Sequence, residues 1–297
     1  MTGDYDNPAI FKLYKEIQNK FEPKILYKDF FDDEVFKGFL KKVLRYIENT
    51  VGQKLELALN NGNFLKIIQN AYEDERIKKV EIFSLNHDTL IEQLLDKKKM
   101  EYSDGFTEDD LQIRIWNKKS FNDKSKINLY KLHGSINWYQ FYRKDKKEGF
   151  VGSVPTYIKD IDHIKDTNNS DLSRDKRRGI LVGTFNKIFN YLTDIFILLN
   201  FKFYETLSDF NYLVISGYSF SDKGINIYIK RFMNSSHNKK LVIIDPHGGK
   251  LEERARGMIA DDLFKWELTK KMEIIHKSFE ETKLQEVLNV LKFLTKK

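Results

Sequence analysis

Apolar residues change their spacing near Val80, and the change divides the chain. Ahead of it the stripes are helical: Ile10, Leu13, Tyr14, Ile17 and Phe21, then Val35, Phe36, Phe39, Leu40, Val43, Leu44 and Ile47. Asn7-Pro8 supplies a capping side chain and a first-turn proline for the first stripe. A third helix is expected over Asn63 to Tyr72. Residues 1–78 therefore read as a helical region, packed on the core or used for assembly. From Val80 onward, short apolar runs alternate with helical patterns, which predicts β-α units and a parallel sheet. Strands are expected at Val80–Leu85, at Ile127–Leu132 leading into a candidate strand at Ile136–Tyr142, and at Tyr212–Ser216, Leu241–Ile244 and Met272–Ile275, while Ile180–Val182 is a short apolar run. Tyr212–Ser216 and Leu241–Ile244 read as buried on both faces. Helices are expected at Asp88–Lys97, Lys187–Leu207, Asp222–Met233 and Lys283–Leu294. The fold class is α/β, with one α/β domain over residues 79–297.

Arg143 to Arg178 interrupts this pattern. It is polar, charged and poor in periodicity, and too long for an ordinary connection, so it reads as an insertion, a lid or a mobile loop. Its basic runs, Arg143–Lys147 and Lys176–Arg178, suit either phosphate contact or plain solvation. Neither an internal repeat nor a linker rich in Gly, Ser or Pro is present.

Composition narrows the function classes. A length of 297 residues fits one large domain or two small ones. Hydrophobic residues at 41% and charged residues at 32% exclude wholesale disorder, and 23 Phe with 15 Tyr can fill a sizeable core. With no cysteine, disulfides, Cys-ligated zinc, iron–sulfur clusters and thiol catalysis are excluded together, and a reducing compartment suits the chain. The net charge of +7 favours nucleic acid, nucleotides or acidic partners, or reflects a Lys-rich composition alone. No apolar run approaches the ~20 residues of a membrane span, and the opening MTGDYDNP carries no signal-peptide core. A soluble, cytoplasmic protein without a membrane partner is expected.

Four segments fall at the C-terminal ends of predicted strands, the edge where open parallel α/β sheets bind ligands. They are Phe83-Ser84-Leu85-Asn86-His87-Asp88, Lys131-Leu132-His133-Gly134-Ser135, Gly217-Tyr218-Ser219-Phe220-Ser221-Asp222 and Ile244-Asp245-Pro246. Asn86 offers a donor and an acceptor on a short stem, suited to sugar hydroxyls or a carboxamide. Asp88 can bind ligand or cap the helix that follows. His133 titrates near neutral pH and can act as a general base. Gly217 and Ser219 open a loop ahead of a helix, which reads as a phosphate site or as a tight turn capped by Ser219 or Asp222. Asp245 ends a hydrophobic strand where dinucleotide folds place a ribose-binding carboxylate. His87, His247 and His276 carry no comparable argument, and His163 and His237 read as surface residues.

Taken in order, Asn-x-Asp, Leu-His-Gly-Ser, Gly-Tyr-Ser-Phe-Ser-Asp and Ile-Asp resemble the sirtuin-like NAD-binding superfamily over about residues 80 to 280. More narrowly, the set resembles the sirtuin-like NADase domains of bacterial antiphage defence proteins. Thr184-Phe185-Asn186-Lys187 resembles a segment of that bacterial branch. The resemblance implies a Rossmann-like fold with NAD as substrate. Asn86 and His133 become catalytic, and Asp88, Gly217, Ser219 and Asp245 become cofactor-binding, with no metal. Protein-deacylating sirtuins carry a four-cysteine zinc module that this chain lacks. They also begin with a strand and a Gly-Ala-Gly loop. Here the glycines before Val80, namely Gly3, Gly38, Gly52 and Gly62, are isolated. Either the chain starts downstream of that strand or its phosphate site is built differently.

The implied activity is cleavage of NAD to nicotinamide and ADP-ribose in triggered antiphage defence by NAD depletion. The implied assembly is a homo-oligomer, with a partner ATPase/helicase or another phage-sensing protein. Direct nucleic-acid binding is not required by this reading. The competing readings are a non-catalytic NAD or ADP-ribose sensor or scaffold and an NAD-dependent protein deacylase.

Overall fold

In the computed structural model, the described residues are 65–108, 113–121, 125–143, 149–155, 158, 163–165, 172–181, 194–247, 251–255 and 259–295. All lie in the unit Thr50–Lys297. The apolar stripes expected before residue 49, the start of the 187–207 helix and the Thr184–Lys187 segment fall outside them.

In chain order the elements begin α1 (Lys66–Glu73), β1 (Val80–Ser84), α2 (Leu90–Lys97), β2 (Tyr102–Ser103), β3 (Phe106–Glu108) and β4 (Arg114–Trp116). Then come β5 (Ile127–Lys131), β6 (Gly134–Tyr142), β7 (Gly149–Ser153), β8 (Ser173–Ile180), α3 (Asp194–Asp209), β9 (Tyr212–Ser216) and α4 (Lys223–Ser235). The series closes with β10 (Lys240–Ile244), α5 (Leu251–Arg254), α6 (Ile259–Leu268), β11 (Met272–Ile275) and α7 (Leu284–Thr295).

Two parallel sheets carry the α/β part, in the orders β1-β5-β2 and β11-β10-β9. The period-2 alternation of their strands sends side chains into two separate core layers. Ile127, Leu129, Val242 and Ile244 pack with Leu65, Ile67 and Ile68 beside α1, with Leu94 and Leu95 of α2 and with Val287 of α7. Tyr130, Leu241 and Ile243 pack on the other face with Phe203 of α3, Ile225 and Ile229 of α4 and Trp266 of α6. A strand covered by helices on both faces has to be apolar at nearly every position, which is why Leu241–Ile244 is a continuous hydrophobic run. This is the mixed α/β, Rossmann-like arrangement expected from the alternating pattern.

Tyr212–Ser216 is a strand, but it is not buried. It is an edge strand, and Tyr212 and Val214 are 46% and 41% exposed. An apolar run signals extended chain, but burial also depends on how many neighbours the strand acquires.

The larger difference is a five-stranded antiparallel sheet, β3-β4-β7-β6-β8. Ile136–Tyr142 was expected beside parallel strands, yet β6 pairs antiparallel with β7 and β8. The segment 143–178 thus contributes β7 and most of β8. Gly-Phe-Val-Gly-Ser and Ser-Arg-Asp-Lys-Arg-Arg-Gly-Ile lack the clean alternation that announces a strand. The pairing with β6 organises them, over a small core of Ile113, Tyr139, Phe141, Val154, Ile164 and Leu172. The guanidinium of Arg143, one of the basic residues considered for phosphate contact, lies over the Phe150 ring at 5.6 Å.

The parallel and antiparallel parts meet at the β5–β6 turn. Gly134 has φ +77°, and a Cβ there would sit 1.8 Å from the Gly179 carbonyl oxygen of β8. Backbone therefore touches backbone where no side chain fits. Replacing Gly134 by Ala is expected to cost roughly 2 kcal/mol or more, through both the positive φ and the clash. A chemical-denaturation midpoint equal to wild type contradicts this.

Candidate functional site

The C-terminal ends of β1 and β5 lie side by side, because the two strands pair in register from Val80↔Ile127 to Ser84↔Lys131. The Leu132 N–H donates to the Ser84 carbonyl at 3.0 Å, and the Asn86 N–H donates to Ser84 Oγ at 3.2 Å. Asn86 is left exposed beyond that turn. Asp88 is buried, and its Oδ1 accepts the Leu90 N–H at 3.1 Å from one residue ahead of the Thr89 N-cap, so it closes the turn that leads into α2 without being the cap itself. Its carbonyl accepts from Lys131 Nζ.

Lys131 is a charged residue ending an apolar strand, with its side chain only 1% exposed and its Nζ 3.6 Å from Glu92 Oε1. Burial pushes the Glu92 carboxyl upward, and the Lys131 ammonium opposes that shift. The ammonium thus braces the Asn86–Asp88 segment from below.

His133 is 9% exposed and sits in the turn between β5 and β6. Its carbonyl accepts the Leu181 N–H at 2.8 Å. The His87 carbonyl accepts the Ile136 N–H at 2.9 Å and the Ser135 hydroxyl at 3.2 Å. These bonds lace the two motif segments together and bring the His87 and His133 rings to 6.2 Å between centroids. His87 is held down to about 4, first by burial and then by the charges of His133 and Lys131.

The third segment folds over the same corner. Gly217 has φ +65°, is exposed, and has nothing within 4 Å of the position a Cβ would take, so its backbone is open to a ligand. Ser219 is exposed, with its Oγ 3.0 Å from Ser221 Oγ. The Tyr218 hydroxyl lies 2.8 Å from Asn226 Oδ1, and Asn226 Nδ2 donates to the Phe220 carbonyl at 2.7 Å, which fixes the loop onto α4. Asp222 Oδ1 accepts the N–H groups of Gly224 at 2.9 Å and Ile225 at 3.3 Å. These first-turn amides, which the dipole argument would offer to a phosphate, are therefore occupied by the chain's own carboxylate. Asp222 Oδ2 lies 3.4 Å from His133 Nε2, joining the second motif segment to the third.

Asp245 ends β10 and is 7% exposed. Its Oδ1 accepts the His247 N–H at 2.7 Å, and its Oδ2 accepts from the Arg254 guanidinium at 2.9 Å. Its bonds run to its own turn and to α5. Ser216 Oγ, at the end of β9, donates to the Ile244 carbonyl at 3.4 Å and ties the β9 and β10 ends together. His163, His237, His247 and His276 are exposed.

Sequence reasoning passed over three participants: His87, Lys131, and Asp222 in any role beyond a cap. Lys131 had a signal, because a lone charge at the end of an apolar strand needs a buried partner. His87 and Asp222 had none, because their meeting with His133 depends on tertiary packing. Chemically, the corner offers a recessed imidazole backed by a carboxylate, an exposed carboxamide and an open glycine backbone. That combination can bind a polyhydroxylated ligand and accept a proton from it. Among the described residues no group of three or more His, Asp or Glu is placed to hold a metal ion.

A protein-family model described as a SIR2-like domain matches residues 80–265. No curated protein matches the chain.

His87 makes stability depend on pH. Its folded value of about 4 lies below the ordinary imidazole value of 6.5 that applies when unfolded. Between those values the unfolded chain binds the extra proton, so stability is full above pH 6.5 and falls as pH drops toward 4. The full loss is on the order of 3 kcal/mol. Thermal midpoints measured across that window should decline for wild type and decline less for His87→Gln. Equal slopes contradict the assignment.

Proposed function

The chain belongs to the SIR2-like domain family, whose members act on NAD, and from that premise we propose that it hydrolyses NAD at the nicotinamide–ribose bond. The observation that carries this reading is the recessed His133, whose ring lies beside His87 of the Asn86–Asp88 segment and against Asp222 at the end of the Gly217–Asp222 segment.

The C1′–N bond breaks with its electron pair passing to the pyridinium nitrogen, so nicotinamide leaves neutral. Because the leaving group needs no proton, the protein's work is positioning and charge stabilisation rather than strong acid catalysis. Asn86 orients the nicotinamide ribose or the attacking water. Asp88 contributes to holding the carboxamide end. His133 accepts the proton that the water or a ribose hydroxyl gives up as oxygen bonds to C1′. Gly217 and Ser219 meet the phosphates or ribose with backbone and hydroxyl, and Asp245 with its Arg254 partner lies toward the adenosine ribose. The products are nicotinamide and ADP-ribose. NAD is the substrate, and no zinc is involved.

Unchecked loss of NAD is toxic to a cell, so the activity is proposed to run at a low, measurable basal rate until triggered, in antiphage defence, by assembly or by a partner such as an ATPase/helicase. The apolar stripes read in residues 1–78 are the proposed assembly region, and residues 79–297 the proposed NAD-binding domain. No described helix is long and apolar enough to cross a membrane.

One observation favours a second reading, that of a non-catalytic NAD or ADP-ribose sensor. The first-turn amides of α4 and the Asp245 carboxylate are already partnered within the chain. The same variants separate the two readings. Asn86→Ala and His133→Ala should each lower nicotinamide release from NAD by about 100-fold or more while the circular dichroism spectrum stays unchanged. Wild-type release in either variant contradicts hydrolysis by this site, and NAD binding without release in every protein points to the sensor.

A further inference from the structure

His133 and Asp222 are 89 positions apart in sequence, yet Asp222 Oδ2 lies 3.4 Å from His133 Nε2. Both side chains are nearly buried, at 11% exposed for His133 and 16% for Asp222. His133 Nε2 is fully enclosed and makes no hydrogen bond, and the carboxylate oxygen of Asp222 lies within ion-pair distance of it. The separation is long for a hydrogen bond, as such bonds often are before a ligand closes the site.

The carboxylate is not free to turn away. Its Oδ1 is held by the amides of Gly224 and Ile225 at the start of α4, and that cap aims Oδ2 at the imidazole. The His133 backbone is fixed from its own side by the Gly134 turn and by the bond from the Leu181 N–H to the His133 carbonyl, and the ring it carries is nearly buried. A ring nitrogen enclosed against a carboxylate has two choices. Presented as N–H it is attracted, and presented as a lone pair it is repelled, in surroundings where water screens little.

We propose that Asp222 is a positioning residue for His133: it holds the imidazole in its Nε2–H tautomer, so that Nδ1 keeps the lone pair that takes the proton of the reaction. The reaction named here rests on the NAD-hydrolysis reading, whereas the pairing itself does not. Asp222 thereby has two duties, capping α4 and orienting the base, and the two can be separated by substitution. In Asp222→Asn the amide oxygen still accepts from Gly224 and Ile225, but the NH2 group then faces Nε2 and favours the opposite tautomer. In Asp222→Ser the cap is kept by a side chain too short to reach the ring. Among the described residues, the other charged or titratable groups at this corner are His87, Asp88 and Glu92 from the β1–α2 segment, Lys131 from β5 and Tyr218, whose hydroxyl donates to the Asp222 carbonyl at 3.0 Å, and neither substitution removes any of them.

The test uses the full chain and two readouts. Nitrogen-15 NMR of the imidazole at a pH where it is neutral should show His133 protonated on Nε2 in wild type and shifted toward Nδ1 in Asp222→Asn and Asp222→Ser. Nicotinamide release should lose about 100-fold or more in kcat in both variants, with KM for NAD within about threefold and an unchanged thermal midpoint. A merely structural cap would leave the tautomer and kcat as in wild type. That result, with His133→Ala inactive, overturns the positioning role. If wild type itself releases no nicotinamide, the hydrolysis reading fails, and the tautomer comparison alone upholds or overturns the pairing.

Discussion

The turn from Lys131 to Gly134 is the constraint on which the rest of the structure depends. Below it, the Lys131 ammonium is buried against Glu92 and the Asp88 carbonyl. Beside it, Leu132 bonds back to Ser84 and Leu181 bonds to His133. Above it, Gly134 lets the β6 backbone approach the β8 backbone more closely than any side chain would permit. The parallel sheet thus passes directly into the antiparallel one, and the imidazole at the joint has little room to move. A buried ion pair is a weak source of net stability, since desolvation offsets most of the attraction. Its consequence here is geometric, because it holds the Asn86–Asp88 segment in place relative to His133.

The acidic residues of the motifs share a trait. Asp88 closes the turn into α2, Asp222 caps α4, and Asp245 closes its own turn and pairs with Arg254. Each carboxylate has a structural partner already. In the proposed reading, ligand recognition therefore falls more heavily on neutral groups, the Asn86 carboxamide, the Gly217 backbone and the Ser219 hydroxyl, while the charges organise the frame around them. That division suits a substrate whose reacting bond needs orientation more than it needs a strong acid.

Much of this was legible in the sequence, for physical reasons that differ from place to place. Leu241–Ile244 announced itself because a strand covered on both faces must be apolar at nearly every position. Asp222 preceding an amphipathic run marked the start of α4 through its capping chemistry. The ordered motifs were legible as strand ends, at the C-terminal ends of β1, β5, β9 and β10, although those strands belong to two parallel sheets and not to one. The antiparallel sheet was not legible, because β7 and β8 are held by pairing with β6 and carry charges and glycines that mask their period. The exposure of β9 was not legible either, since strand order is not a local property. The meeting of His87, His133 and Asp222 depends on a turn and a helix cap being packed together, and no spacing in the chain encodes it.

Product analysis of NAD incubated with the full-length wild-type protein tests the central claim most directly. The account predicts nicotinamide and ADP-ribose in equal amounts, formed without any acylated peptide. Recovery of intact NAD from protein that binds it, or nicotinamide release only when an acyl-lysine peptide is present, would contradict it.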